Sequence, residues 1–197
     1  MTAVVEGELA RGMLVVLRAK RLADGAQDYA WRCDAELAAF DAARPFGGTY
    51  AEYLAIFGDE LSFPSPYRRT LAAEDMDGRH IGNAMYYNVD YQRRDAEIGV
   101  TIGLRECWGR GYGTDLVRTF LAYLFENTML ERIYLKTLDW NVRAQRCFEN
   151  AGFRRTGTSR RGEYSFVLMD IHKRDFQEAV RRGDGKPGPT GPGGQRQ

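Results

Sequence analysis

The spacing with the clearest chemical use is Cys107-Trp-Gly-Arg-Gly-Tyr-Gly-Thr114, where three glycines alternate with larger residues ahead of an amphipathic stretch. Gly109, Gly111 and Gly113 carry no Cβ atom, so backbone N–H groups there can close on an anion. The helix that the following residues predict would add unpaired first-turn N–H groups and a partial positive charge. Arg110 adds a mobile full charge. Physically this is a cradle for a pyrophosphate, and a tight turn without a ligand is the alternative. A dinucleotide fingerprint would need a third glycine where Thr114 stands, and no phosphate-loop lysine motif occurs.

Other chemistries find little footing. The two histidines, His80 and His172, are far apart and not interleaved with further ligand types, which argues against a metal site and against a Ser-His-Asp triad. Cys33, Cys107 and Cys147 are odd in number and form no C-x-x-C pair, so a disulfide framework is not expected. With 28 basic and 27 acidic side chains the chain lacks the basic excess of a nucleic-acid binder. The densest apolar runs, Met13-Leu-Val-Val-Leu17 and Phe120-Leu-Ala-Tyr-Leu-Phe125, are far shorter than the roughly 18 residues of a membrane span. The N-terminus lacks the apolar stretch of a secretion signal, and a cytoplasmic protein is expected.

The elements that must position the turn follow from periodicity. Met13 to Arg18 reads as a strand, and Asp28 to Ala43 and Tyr50 to Phe57 as helices. Phe63-Pro-Ser-Pro66 is a loop. Arg68 to Ala73 and Arg79 to Asn88 read as strands joined at Asp77-Gly78, and Asp95 to Gly103 as a third, rich in β-branched residues. Thr114 to Thr128 places Leu116, Val117, Phe120, Leu121, Leu124 and Phe125 on one helical face. A strand, Ile133 to Leu138, precedes a helix, Asn141 to Ala151, that Gly152 ends. Phe153 to Ser159 and Glu163 to Ile171 form a hairpin around Arg161-Gly162, and Lys173 to Arg182 has a weak helical period. Residues 183–197, with glycine and proline alternating, read as a disordered tail. This order predicts an α/β (α+β) domain, a mixed sheet flanked by helices.

Three motifs in this order resemble the GNAT acetyltransferases. Gly111 and Gly113 match the last two fixed positions of the family's [QR]-x-x-G-x-[GA], with Trp108 in place of Gln or Arg. The form Trp108-Gly-Arg-Gly-Tyr112 is similar to the branch holding ribosomal-protein N-terminal and small-amine acetyltransferases. Asp139 to Phe153 resembles the N-x-x-A-x-x-x-Y-x-x-x-G-F block, and Asp77 to Gly82 resembles a D-G-x-x-I-G hairpin. The resemblance implies a transferase domain over residues 13–174, with a mostly antiparallel sheet of about seven strands. It implies direct transfer of an acetyl group from acetyl-CoA to a primary amine, on a protein N-terminus or a small molecule.

The resemblance also distributes roles. Val100, Thr101 and Ile102 would offer backbone groups to the pantetheine arm, and Trp108, Gly109, Arg110, Gly111, Tyr112, Gly113 and Thr114 would hold the pyrophosphate. Asn141 would contact the cofactor arm, Phe148 would pack against its thiol end, and Arg143 or Arg146 is placed to meet the ribose phosphate. Glu97 is the candidate base, with Asp95 competing for the role from the same strand face. Phe148 stands where the family often has a tyrosine acid, leaving Cys147, Tyr164 or water to protonate the leaving thiolate. Trp31, Phe46, Tyr50, Tyr53, Tyr67 and Tyr164, with Asp34, Asp41 and Glu52, lie in the regions from which the family builds its acceptor site. The departures at Trp108 and Phe148 leave open a module that binds acyl-CoA without transferring it. No metal, nucleic acid or membrane partner is implied, and homodimers are common in the family.

Overall fold

The computed structural model describes residues 7–183; the glycine- and proline-rich segment beyond them lies outside the described residues. Eight strands form one sheet: β1 (Glu8–Arg11), β2 (Val15–Ala19), β3 (Arg69–Asp75), β4 (His80–Asp90), β5 (Asp95–Ile102), β6 (Arg132–Leu138), β7 (Arg154–Arg161) and β8 (Tyr164–His172). Their spatial order is β1-β2-β3-β4-β5-β6-β8-β7. The sheet therefore holds one strand more than the seven or so expected. β1 escapes notice because it is four residues long, too short for an alternation to register.

The helices are α1 (Gly25–Cys33), α2 (Ala35–Phe40), α3 (Tyr50–Ser62), α4 (Tyr112–Asn127), α5 (Val142–Asn150) and α6 (Lys173–Arg182). The single helix expected over residues 28–43 is two. Asp34 is extended (ψ 120°) and its side chain accepts from the amides of Glu36 and Leu37, so it ends α1 and caps α2. Helical spacing survives the break, which is why periodicity alone does not reveal it. α3 begins at a capping box: Thr49 Oγ1 accepts from the Glu52 amide, and the Glu52 carboxylate accepts from the Thr49 amide at 2.7 Å.

All strand pairs are antiparallel except β5 with β6, which α4 connects as a crossover. That parallel pairing is brief: Asp95, Ala96 and Glu97 face Arg132, Ile133 and Tyr134. Beyond Glu97, β5 continues to Ile102 paired with β4 alone, while β6 continues paired with β8 alone. The sheet thus opens into a wedge with its apex at Glu97 and Tyr134.

Alternation assigns the two faces of the sheet. Ala96 and Ile98 of β5 and Ile133 and Leu135 of β6 belong to the core that Leu116, Phe120 and Leu124 of α4 complete. Glu97, Thr101, Tyr87 and Lys136 therefore lie on the opposite face, towards α1–α3. α4 is anchored at its first turn by Asp115, whose buried carboxylate accepts from the amides of Met13, Leu14 and Val15 at 2.7–3.1 Å.

Candidate active site

The glycine turn forms at the N-terminus of α4, at the open end of the wedge. Gly109 and Gly111 hold φ +70° and +90°, a region that side chains oppose, and Gly111 is the residue preceding the first helical position. No atom lies within 4 Å of where a Cβ on Gly109 would stand, so the space before the helix is open to an anion. Gly113 serves packing instead: its Cβ would lie 3.2 Å from Cys147 Sγ, where α5 crosses α4. Thr114 Oγ1 donates to that sulfur at 3.7 Å, and burial pushes the Cys147 thiol up. Tyr112 packs on the core, while Arg110 is exposed and donates to the Glu106 carbonyl.

Trp108 fixes the turn to β5. Its Nε1 donates to the carbonyl of Ile102 at 2.7 Å. One face of the indole carries the Arg143 guanidinium 3.7 Å from its centroid, and Phe40 of α2 meets it edge-on at 5.9 Å. Phe40 also touches Trp140 at 5.5 Å, so this cluster joins α2 to the residues ahead of both α4 and α5. Asn141 caps α5, its Oδ1 accepting from the Ala144 amide at 3.1 Å. Phe148 is buried in the core, edge-on to Phe153 at 5.7 Å.

Glu97 is 5% exposed at the apex of the wedge. A buried carboxylate requires donors, and it has three. Tyr87 Oη donates to Oε1 at 3.0 Å, Asn88 Nδ2 to Oε2 at 3.0 Å, and Lys136 Nζ to Oε1 at 2.8 Å. Burial and the adjacent Glu97 charge push the Tyr87 phenol up, keeping it a donor. Asn88 reaches Glu97 from a left-handed backbone (φ 52°) at the register shift between Tyr87 and Asp90. Asp95 does not share this setting: it pairs with Arg132, which also holds Asp170, and so ties β5, β6 and β8 together. Two strand residues of separation put Asp95 on the same face but on the paired, closed side of the apex.

Tyr87 and Asn88 also line a cleft of about 880 Å³ between the sheet and α1–α3. Its aromatic walls include Trp31, Phe46, Tyr53 and Tyr67, with Thr101 of β5 on the sheet side. Asp28, Asp41 and Glu60 face it, with Arg32 and Arg68. Of the other residues expected there, Asp34 instead pairs with Arg105, Glu52 caps α3, Tyr50 lies tilted against Tyr29 and Tyr164 lies against Phe166 on β8.

Beneath the cleft lies a polar network that residue spacing did not disclose. Arg18 bridges Asp24 at 2.8 Å and Glu74 at 2.5 Å, and Lys20 pairs with Asp28 and with Asn83 Oδ1 at 2.8 Å. Asn83 Nδ2 donates to Asp28 at 2.7 Å, and His80 Nε2 lies 2.9 Å from the Gly82 carbonyl, which requires a proton on Nε2. Burial pushes the Lys20 and His80 groups down, towards their neutral forms. Scattered charges on β2, α1, β3, β4 and the segment between β2 and α1 give no local pattern to detect. Lys136 and Asp115 were missed for the same reason, although a lone lysine inside Ile133–Leu138 is a weak signal of a non-core role.

Among the described residues no group of His, Cys, Asp and Glu is arranged to hold a metal, and no helix is long and apolar enough to cross a membrane. Comparison with known proteins relates this geometry to others. The chain is 38% identical over 74 residues to an aminoglycoside N(6')-acetyltransferase type 1 of Serratia marcescens, covering 38% of this chain and 36% of that protein. It is 33% identical over 107 residues to a putative ribosomal N-acetyltransferase, YdaF, of Bacillus subtilis (strain 168), covering 51% of this chain and 58% of that protein. The matched stretches thus span less than two thirds of these relatives' lengths. The fold is that of the spermidine N-acetyltransferase from Vibrio cholerae in complex with CoA and spermine, with a TM-score of 0.74 at 21% identity over 83% of this chain and 98% of that one. The profile of the acetyltransferase (GNAT) domain matches residues 15–154, well over half of the sequence, and the chain therefore belongs to the GNAT acetyltransferases.

Proposed function

We propose that this protein transfers an acetyl group from acetyl-CoA to a primary amine of a small, cationic molecule. The observation that carries the reading is a coincidence of three features: the open glycine turn at α4, the wedge between β5 and β6, and Glu97 at its apex. A phosphate-bearing cofactor with its diphosphate on the α4 amides would run its arm along the unpaired edge of Val100 and Thr101, below Ile102, whose carbonyl Trp108 already holds. Five strand residues, about 17 Å at 3.4 Å each, separate Ile102 from Glu97. When bound, acetyl-CoA supplies an activated acyl group on a thiol that leaves readily.

The residues of the chain supply position and proton transfer. Trp108 holds the turn, Gly109 to Thr114 present amides with Arg110 beside them, and Asn141 and Arg143 flank the groove from α5. The aromatic walls of the cleft receive the ammonium group, with Asp41 as the lining carboxylate left over once Asp28 pairs with Lys20 and Glu60 with Arg68. An amine of pKa about 10.4 is neutral only about one part in 10³ at pH 7, which costs roughly 4–5 kcal/mol, so a nearby carboxylate is valuable. Glu97 is reached from the cleft through Tyr87 and Asn88 and takes that role. Phe148 has no proton to give, and the thiolate leaves without one from that position.

A small acceptor is favoured over a protein terminus by the size of the cleft, about 880 Å³, and by its walls of Trp31, Phe46, Tyr53 and Tyr67, which suit a small molecule. The same class of compound is named for the aminoglycoside acetyltransferase relative and for the spermine-bound structural neighbour. The test follows free thiol while the protein is given acetyl-CoA and a panel of polyamines, aminoglycosides, amino sugars and N-terminal peptides. Thiol release with a small polyamine or aminoglycoside, lost in Glu97→Gln, is the expected result. Cofactor binding without release on any amine would instead favour a binding module, and release on peptides alone would move the acceptor to a protein terminus.

A further inference from the structure

The ion pair at the apex of the wedge joins the candidate base to a primary amine. Lys136 lies two residues beyond Tyr134, the last β6 residue paired with β5, and alternation turns its side chain to the Glu97 face. Its Nζ is 2.8 Å from Glu97 Oε1, yet the Lys136 side chain is 41% exposed, against 6% for Glu97. The amine is thus hydrogen-bonded to a base and still accessible from the open wedge.

The choice of lysine here is chemically pointed. Of the 28 basic side chains, 24 are arginine and only Lys20, Lys136, Lys173 and Lys186 are lysine. Four residues earlier on the same strand, the cross-strand bridges to Asp95 and Asp170 are made by Arg132. An arginine at 136 would bind Glu97 with a fork of donors and would stay charged under all conditions. Of the two, only lysine can lose a proton and become a nucleophile.

We propose that Lys136 is an acetyl acceptor, modified by the enzyme's own acyl thioester when no free amine occupies the cleft. The inference rests on the proposed placement of the thioester at the wedge apex. Glu97 Oε1 takes one proton from the Lys136 ammonium, and the freed electron pair of Nζ forms a bond to the acyl carbon. The carbon–sulfur bond breaks with its electrons on sulfur, the second nitrogen proton passes to that sulfur to give a thiol, and Glu97 returns its proton to water. The product is a neutral amide at Lys136. Glu97 then keeps only the neutral donors Tyr87 and Asn88, so the modification removes the cation that occupies the base.

The test incubates the full chain with acetyl-CoA and no added amine, then maps acetyl groups by peptide mass spectrometry. The expected result is one acetyl group per chain, on Lys136, formed at least about 100-fold faster than on Lys173, because the nitrogen is held beside the reacting carbon. The rate is expected to be unchanged on dilution of the protein and to fall in Glu97→Gln, with circular dichroism confirming that this variant folds. Lys136→Arg should gain no acetyl group while keeping the ion pair. Equal labelling of Lys136 and Lys173 overturns the proposal, as does an unmodified Lys136. In the latter case calorimetric binding of acetyl-CoA and turnover of the amine panel show whether the transferase reading falls with it: turnover with an unmodified Lys136 overturns the self-acetylation alone.

Discussion

The indole Nε1 of Trp108 donates to the Ile102 carbonyl at 2.7 Å, so the turn that opens α4 is pinned to the free end of β5. The same indole carries the Arg143 guanidinium on its face and meets Phe40. Trp108→Phe removes only the hydrogen bond, worth about 1 kcal/mol, and should weaken acetyl-CoA binding roughly fivefold. Trp108→Ala also removes the cation–π and ring contacts, about 0.5–2 kcal/mol more, for a total loss of roughly 10- to 150-fold. Isothermal titration calorimetry reads both, and wild-type affinity in Trp108→Ala would show that the indole does not hold the turn.

Gly111 holds φ +90°, which an L side chain opposes by about 1–2 kcal/mol. Gly111→Ala is expected to lower thermal stability by a few degrees. Gly111→Asp adds a negative charge at the α4 N-terminus and should abolish acetyl-CoA binding at concentrations that saturate the parent protein. A folded Gly111→Asp protein with unchanged affinity would contradict the placement of the cofactor phosphates.

Asp115 ties α4 to the turn between β1 and β2 through three backbone amides. Asp115→Ala leaves those buried donors unpaired, a cost of about 2–4 kcal/mol, or roughly 5–10 °C in Tm for a domain of this size. Asp115→Asn keeps one acceptor oxygen and should lose about half as much. Calorimetric melting of the three proteins without ligand distinguishes this anchoring from any effect on the cofactor.

Glu97→Gln keeps the shape of the side chain and removes the base. kcat is expected to fall by about 10²–10⁴, with acetyl-CoA affinity of the same order as in the parent. A variant with undiminished kcat would assign proton removal to solvent.

Acidification should destabilise the protein in two windows. Burial pushes His80 below its ordinary 6.5, reinforced by the Lys20 charge, so the unfolded chain binds the proton more readily; the stability this contributes is complete above pH 6.5 and is lost as pH falls below it. For Asp24, burial alone would raise the carboxyl, but Arg18 and the Arg21 amide outweigh it and bring the pKa down from 3.8 to about 2. Its contribution, about 2 kcal/mol, is present above pH 3.8 and is lost between there and pH 2. Melting temperatures from pH 8 to about pH 1.5 should therefore fall in two steps. His80→Gln should flatten the first step and Asp24→Asn the second; a first step that persists unchanged in His80→Gln would refute the buried neutral imidazole.

Much of the site was legible in the chain itself because its signals are short-range. Alternating glycines before an amphipathic helix announce an anion cradle within eight residues, and hydrophobic periods mark the strands on either side. The same locality explains the errors. A capping aspartate at Asp34 broke a helix without disturbing its period, and a four-residue β1 was too short to alternate.

What order and periodicity alone determined is which elements exist, roughly where they begin and which of them carries the glycine turn. Only the tertiary structure decided what Glu97 is bonded to, because Lys136 is 39 positions away and comes beside it through one brief parallel pairing. It likewise decided that Asp115 serves amides about 100 positions away, and that Asp28 faces a cleft while neutralised by Lys20. Backbone propensity is a property of neighbours in sequence; strand register and crossover choose neighbours in space, and the chemistry of the carboxylates depends on the second kind.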